Sequence, residues 1–295
     1  PLQTAAGDPG HFRSAPGFAD LLEGGTGDDW IDGGEGFDTV SYRNATGAVL
    51  VDLGAGSARG ADGSDTLTNV EAVLGSAFAD TLTGDDGDNL LDGGGGKDTM
   101  AGGKGNDIYV INRVDEVIVE KAGEGSDTIV TPFSWKTGNN IENITLTGKS
   151  ALDATGDAGD NVLIGNLGIN RLIGGAGNDT YEVQNADDVI VDDLADRGHD
   201  VVRSAVSWTL AVGLEDLTLI GTAAINATGN AAANVLSGNA AANRIDGGAG
   251  IDRMIGGDGN DTYVVDHPRD VIVEGPAYWN GKYYDTGIEI GRAHV

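Results

Sequence analysis

GGGGKDTMAGGKGNDIYV, residues 93–110, is a nine-residue phrase written twice. Each half has Gly at positions one, two and four, an acid at position six (Asp98, Asp107) and a core-type side chain at position eight (Met100, Tyr109). The frame extends backward through GSAFADTLT and GDDGDNLLD from residues 75 and 84. It recurs from 15, 24 and 33 (APGFADLLE, GGTGDDWID, GGEGFDTVS) and from 156, 165 and 174 (GDAGDNVLI, GNLGINRLI, GGAGNDTYE). A last block starts at 229, 238, 247 and 256 (GNAAANVLS, GNAAANRID, GGAGIDRMI, GGDGNDTYV). Across these fourteen copies position six is always Asp or Asn, and position eight is always Leu, Ile, Val, Met or Tyr. Two constraints held in phase through four blocks mark a repeat architecture.

A longer period lies on top. GGKGND, GGAGND and GGDGND begin at Gly102, Gly174 and Gly256, spaced by 72 and 82 residues. Between them DEVIVE (115–120) matches DDVIVD (187–192), Gly125-Ser126-Asp127 matches Gly198-His199-Asp200, and Ser134-Trp135 matches Ser207-Trp208. IENITL (141–146) likewise matches LEDLTL (214–219). The longer interval contains one extra residue and one extra nonapeptide, the insertion a stacked solenoid tolerates.

Physically, the unit is a six-residue turn followed by three extended residues. Strand side chains alternate faces, so only position eight points inward. The glycines permit positive φ and leave carbonyls unobstructed. The carboxylate at position six converges on the same concavity. Two units make a coil of 18 residues, which stacks equivalent turns about 4.8 Å apart. The product is an all-oxygen cage suited to a hard cation such as Ca²⁺. Candidate ligands are the carboxylates of Asp29, Asp38, Asp80, Asp98, Asp107, Asp179, Asp252 and Asp261. The backbone candidates are Gly25, Gly27, Gly34, Gly36, Gly94, Gly96, Gly103, Gly105, Gly175, Gly177, Gly248, Gly250, Gly257 and Gly259. Stacking pairs Asp80 with Asp98, but Asn89 with Asp107, Asn161 with Asp179, Asn234 with Asp252 and Asn243 with Asp261. Mixed pairs supply one charge and should bind more weakly; the two GNAAAN repeats should be calcium-free rungs.

Composition agrees. The chain carries 17 basic and 47 acidic residues, a net charge of −30, which repels nucleic acid and anionic lipid. Glycine supplies 50 of 295 residues and aromatics only 5%, so neither a helical bundle nor an ordinary globular core is expected. Cysteine is absent, which removes disulfides, thiol nucleophiles and zinc-thiolate sites. No apolar run reaches the roughly 20 residues of a membrane span. Two carboxylates about 5 Å apart repel by roughly 0.8 kcal/mol in water and about 3 kcal/mol at an effective dielectric of 20. With one small core side chain per nine residues, folding should require several calcium ions.

GGTGDDWID, GGEGFDTVS, GGGGKDTMA and GGAGIDRMI resemble the RTX (hemolysin-type) calcium-binding nonapeptide GGxGxDxUx. The text from Asn44 to Gly84 is similar to spacers of large RTX proteins, and the resemblance covers residues 15 to 274. It implies a parallel β-roll with calcium between same-side turns. It further implies type I secretion from a Gram-negative bacterium, with the chain unfolded in low-calcium cytoplasm and folding outside the cell.

The expected fold is all-β: a right-handed parallel β-roll or β-solenoid of nonapeptides with longer-rung spacers. Its segments are an N-terminal end (1–14), repeat blocks at 15–41, 75–110, 156–182 and 229–264, spacers at 42–74, 111–155 and 183–228, and a truncated spacer at 265–289. The spacers could alternatively form small separate β-pieces. Ile290–Val295 (IGRAHV) reads as the translation of a sequencing adapter, and is set aside as a non-native tail of an internal fragment.

No catalytic constellation accompanies the repeats. HExxH and GxSxG are absent, and His11, His199, His267 and His294 are scattered, with His199 in a variable, exposed slot. Gly148-Lys149-Ser150 mimics the end of a P-loop but lacks its first Gly, and reads as a turn after a strand. Tyr109, Tyr181, Tyr263, Trp135 and Trp208 read as core. The expected function is a non-enzymatic calcium-binding module of a secreted or surface protein, with no surface or glycan partner specified. The alternative is the carboxy-side domain of a secreted protease, lipase or alginate epimerase.

Overall fold

When tight turns leave only three residues extended, the middle one alone can build a core. The computed structural model describes residues 10–13, 17, 19–138, 140–192, 198–273, 277–279, 282–284 and 289–290. Residues 1–9, Gly291–Val295 of the tail and most of the 265–289 spacer beyond Val273 lie outside this description. Every regular element among the described residues is a β-strand, and most are three residues long. No helix is long and apolar enough to cross a membrane.

The chain divides into two compact units, Pro1–Phe133 with Thr137–Asn143, and Ser134–Lys136 with Ile144–Val295. In the first, consecutive nonapeptides alternate between two sheets. One sheet runs through Leu21–Leu22, Thr39–Ser41, Ala72–Leu74, Leu90–Asp92, Ile108–Val110 and Thr128–Thr131, all parallel. The other contains His11–Arg13, Trp30–Asp32, Thr81–Thr83, Thr99–Ala101 and Val117–Ile118. In the second unit, one parallel sheet includes Val162–Ile164, Thr180–Val183, Val201–Ser204, Asp216–Leu219, Val235–Ser237, Arg253–Ile255 and Val271–Val273. Beside it lie a four-stranded sheet through Arg171–Ile173 and a further sheet through Arg244–Asp246. This is a parallel β-solenoid.

The 18-residue step holds within blocks: Leu82 pairs with Met100, Leu91 with Tyr109, Leu163 with Tyr181, and Ile245 with Tyr263. Within each unit, spacer strands pair in register with the repeat strands at altered rung lengths. Tyr109 pairs with Ile129, Tyr181 with Val202, Val202 with Leu217 and Leu217 with Leu236. The first spacer differs from a plain longer rung. Val49–Asp52, Ser57–Gly60 and Gly63–Thr68 form an antiparallel meander. Its outer strands pair in parallel with Thr81–Thr83 and Trp30–Asp32. The local cause is period-two burial of Val49, Val51, Ala58 and Leu67, closed by a two-residue hairpin before Gly63 at φ 146°.

Position eight forms the core column. Ile31, Val40, Leu82, Leu91, Met100, Leu163, Leu172, Leu236, Ile245 and Met254 are fully buried, as are Tyr109, Tyr181 and Tyr263. Trp135 and Trp208 occupy equivalent strand starts, opposite Ala154 and Ala227, and pack half-buried against this core. Leu163→Ala should cost about 2–4 kcal/mol in a denaturant titration of the calcium-loaded chain. Val162→Ala, on the exposed side of the same strand, should stay within about 0.5 kcal/mol.

Candidate metal centre

Position six sits where each turn enters its strand, and its backbone N–H points along the stack. The carboxylate one coil ahead accepts it. Asp80 N–H donates to Asp98 Oδ1 at 2.8 Å, Asn89 N–H to Asp107 Oδ1 at 2.7 Å and Asn161 N–H to Asp179 Oδ1 at 2.8 Å. Asn234 and Asn243 donate likewise to Asp252 and Asp261, at 2.9 and 2.8 Å. The five stacked pairs expected from the sequence are therefore all brought together. Asp29 and Asp38 do the same for the N–H groups of Gly10 and Asp20.

One oxygen per carboxylate is thereby used. The second is not: Oδ2 of Asp29, Asp38, Asp98, Asp107, Asp252 and Asp261 is buried without a hydrogen-bond partner. The first-position glycine explains how it fits. At Gly102 a Cβ would overlap Asp107 Oδ2, and Gly93, Gly174 and Gly247 crowd their own aspartates in the same way. Position one is therefore glycine for space, and the positive φ belongs to positions two and four. All fourteen glycines named as backbone candidates have φ between 77° and 148°. At Gly103 a Cβ would also strike the Asp85 carbonyl oxygen of the adjacent turn.

Asparagine behaves differently. Its Oδ1 accepts the second-position N–H of its own turn: Asp85 to Asn89 at 2.7 Å, Asn230 to Asn234 at 2.8 Å, Asn239 to Asn243 at 2.9 Å. Its Nδ2 donates to the preceding rung, from Asn243 to the Ile225 carbonyl at 2.7 Å and from Asn234 to the Glu215 carbonyl at 3.0 Å. The carboxamide oxygen, expected to be a weak ligand, is thus committed to the chain. Asp80 is the exception among the acids. Its Oδ2 accepts the Ser76 N–H at 2.5 Å and its Oδ1 accepts the Val49 N–H at 2.7 Å, with the Ser76 hydroxyl donating as well. Of the pair expected to be richest in charge, only Asp98 keeps an oxygen to offer.

The ladder continues past the nonapeptides, where the repeat frame gives no signal. Asp107 N–H donates to Asp127 and Asp127 N–H to Glu142, while Asp179 N–H donates to Asp200 and Asp200 N–H to Glu215. Asp252 N–H reaches Asp270. The clue was present as matched spacer text, Ser126-Asp127 against His199-Asp200 and Glu142 against Glu215. His199 is exposed, as expected, with Nε2 3.1 Å from Asp216 Oδ2. Gly148 has φ 82° in a turn after the strand Asn143–Leu146.

Among the described residues no Lys or Arg forms an ion pair with these acids, although Arg113 lies near enough to Asp98 to lower its carboxyl slightly. Ion pairs such as Lys104–Asp86, Arg43–Asp92 and Arg244–Asp246 engage other carboxylates. Burial pushes the Asp98 carboxyl up to about 6 and those of Asp107 and Asp179 up to about 7. The accepted N–H opposes this, whereas Asp127 and Glu120 near Asp107, and Asp200 and Asp192 near Asp179, add to it. An ionised carboxylate buried without compensation costs several kcal/mol. The donor set, oxygen only and net negative, fits a hard divalent cation, which would supply the missing partner and charge.

The unfolded chain releases these protons near the ordinary value of 3.8, the ion-free fold only near 6 to 7. Between those limits the ion-free fold holds more protons, so its stability falls as pH rises. In chelator, circular dichroism should report more β-structure at about pH 5.5 than at about pH 7.5. Calcium should restore the signal at the higher pH. A chelated signal that grew with pH would contradict this assignment.

No curated protein matches the chain at a significant level. The family description "RTX calcium-binding nonapeptide repeat (4 copies)" matches residues 17–41, 74–109, 155–190 and 228–263. Three of these segments, 17–41, 74–109 and 228–263, contain the turns whose aspartates leave a buried oxygen without a partner, and all four take part in the parallel β-solenoid. Sequence pattern, coil and donor set agree: the chain is an RTX calcium-binding repeat protein.

Proposed function

We propose that this chain is a non-enzymatic module whose folding is coupled to calcium binding outside the cell, within a secreted or surface protein of a Gram-negative bacterium exported by type I secretion. One observation carries the reading: rung after rung, position six buries a carboxylate with one oxygen held by the chain and the other left for a cation. With a net charge of −30 and one core side chain per nonapeptide, ion-free folding at neutral pH opposes both charge repulsion and chain entropy. Low calcium then keeps the chain extended for export, and the higher calcium outside supplies the missing partners. The Asn-bearing rungs are calcium-free spacers of the stack, because their carboxamides are already committed. Extracellular modules of this chemistry work near about 10⁻⁴–10⁻³ M calcium.

A calcium titration of residues 1–289, followed by far-ultraviolet circular dichroism with magnesium as control, tests the coupling. The expected result is a cooperative gain of β-signal with calcium alone. Full β-signal in chelator at neutral pH would refute it. Asp98→Asn should raise the calcium midpoint by at least about tenfold, a loss seen even for outer-shell partners of a metal. Asp86→Asn, which only breaks the exposed pair with Lys104, should leave the midpoint in place.

A further inference from the structure

The nonapeptide turns do not account for Glu120 and Asp192. Each lies where a tyrosine-ended repeat hands over to its spacer, and each enters a carboxylate cluster. Asp107, Glu120 and Asp127 offer oxygens all within 4.8 Å of one another, and so do Asp179, Asp192 and Asp200. Asp107, Asp127, Asp179 and Asp200 are at most 1% exposed. In four of the five stacked pairs a single aspartate stands over an asparagine, and in the fifth Asp98 stands over Asp80; here three carboxylates meet.

A second observation points to a ligand. Asp107 Oδ1 is taken by the Asn89 N–H, while Asp107 Oδ2 and Glu120 Oε2 are both buried without a partner. Both carboxylates lie beside one phenol. The Tyr109 hydroxyl donates to Glu120 Oε1, and a Cβ on Gly102 would meet both that hydroxyl and Asp107 Oδ2. The second cluster repeats the arrangement, with the Tyr181 hydroxyl 3.3 Å from Asp192 Oδ1 and 3.5 Å from Asp179 Oδ2. A third cluster, Asp252, Asp266 and Asp270, has its middle acid exposed, and Met254 stands where Tyr109 and Tyr181 follow the first acid, so it is not of this class.

We propose that Asp107–Glu120–Asp127 and Asp179–Asp192–Asp200 are a second type of calcium site, three carboxylates beneath a tyrosine, which fills before the nonapeptide turns and fastens each spacer onto the block preceding it. This rests on the calcium reading above. Three formal negative charges around one divalent ion exceed what any Asn-over-Asp turn offers, and ligand charge sets affinity in oxygen cages. The ligands come from both sides of the handover, Asp107 and Asp179 from the block, the other four from the spacer. An ion there closes the wide rung that the repeat pattern does not itself enforce. The tyrosine occupies position eight because its ring fills the core column while its hydroxyl reaches the carboxylates and holds them in place.

The phenol also supplies the test. Terbium, a trivalent probe of calcium sites, emits when an adjacent tyrosine is excited. The full chain should show tyrosine-sensitised terbium emission that calcium displaces. Tyr109→Phe with Tyr181→Phe should remove most of it, with Trp30, Trp135 and Trp208 left as internal controls. Glu120→Gln with Asp192→Asn should weaken the first calcium-binding step seen by calorimetry by about tenfold or more while later steps persist. Emission unchanged by the double Phe variant, or a first step unchanged by the Gln/Asn variant while calcium still induces β-structure, overturns the junction sites and leaves the calcium-folding reading intact. A parent chain with no calcium-dependent β-signal overturns both.

Discussion

A buried carboxylate with one oxygen satisfied and the other not is the interaction on which this solenoid depends. Asp98, Asp107, Asp252 and Asp261 each hold the backbone N–H of the preceding coil, which sets the vertical register of the turns. The same groups bury negative charge with which, among the described residues, no Lys or Arg forms an ion pair. Registration and instability thus reside in one side chain. An arginine could neutralise the acid, but no side chain can stand at position one, where a Cβ would already collide with the carboxylate. A cation needs no place in the chain, and it can be withheld or supplied by the surroundings.

Asparagine and aspartate divide the work. Three runs of stacked turns share one order: Asn89, Asp107, Asp127, Glu142 in the first unit, and Asn161, Asp179, Asp200, Glu215 and Asn234, Asp252, Asp270 in the second. Each run opens on an amide that closes a hydrogen bond within its own turn, and Asn89 and Asn234 also bond the rung before. Among the acids that follow, Asp107 and Asp252 each keep a buried Oδ2 without a hydrogen-bond partner. The amide gives each run a neutral starting rung. Asp80 reaches the same closed state with acid chemistry, by turning both oxygens to Ser76 and Val49.

Legibility in the sequence followed the range of the interactions involved. The core column was readable because alternation along a three-residue strand is local: all the Leu, Ile and Met residues from Leu82 to Met254 that were placed inward are fully buried. The meander of Val49–Thr68 was not anticipated, although its alternation and Gly63 were visible, because the nonapeptide frame is silent there. The role of the first glycine was misjudged for a related reason. Gly102 is needed for the approach of a carboxylate five residues later, and its own φ is ordinary.

By itself the sequence determined the period, the inward residues, the acids at position six and the oxygen-only chemistry, since each follows from backbone geometry within nine residues. Only the tertiary structure decided which carboxylate oxygens are left without a partner, that Asn243 and Asp80 spend theirs on the chain, and that Glu120 and Asp192 join acids from neighbouring rungs. Those outcomes depend on what the next coil presents. A spacer that lengthens a rung from 18 residues to 20 or 21 changes that neighbour without leaving any mark in the repeat.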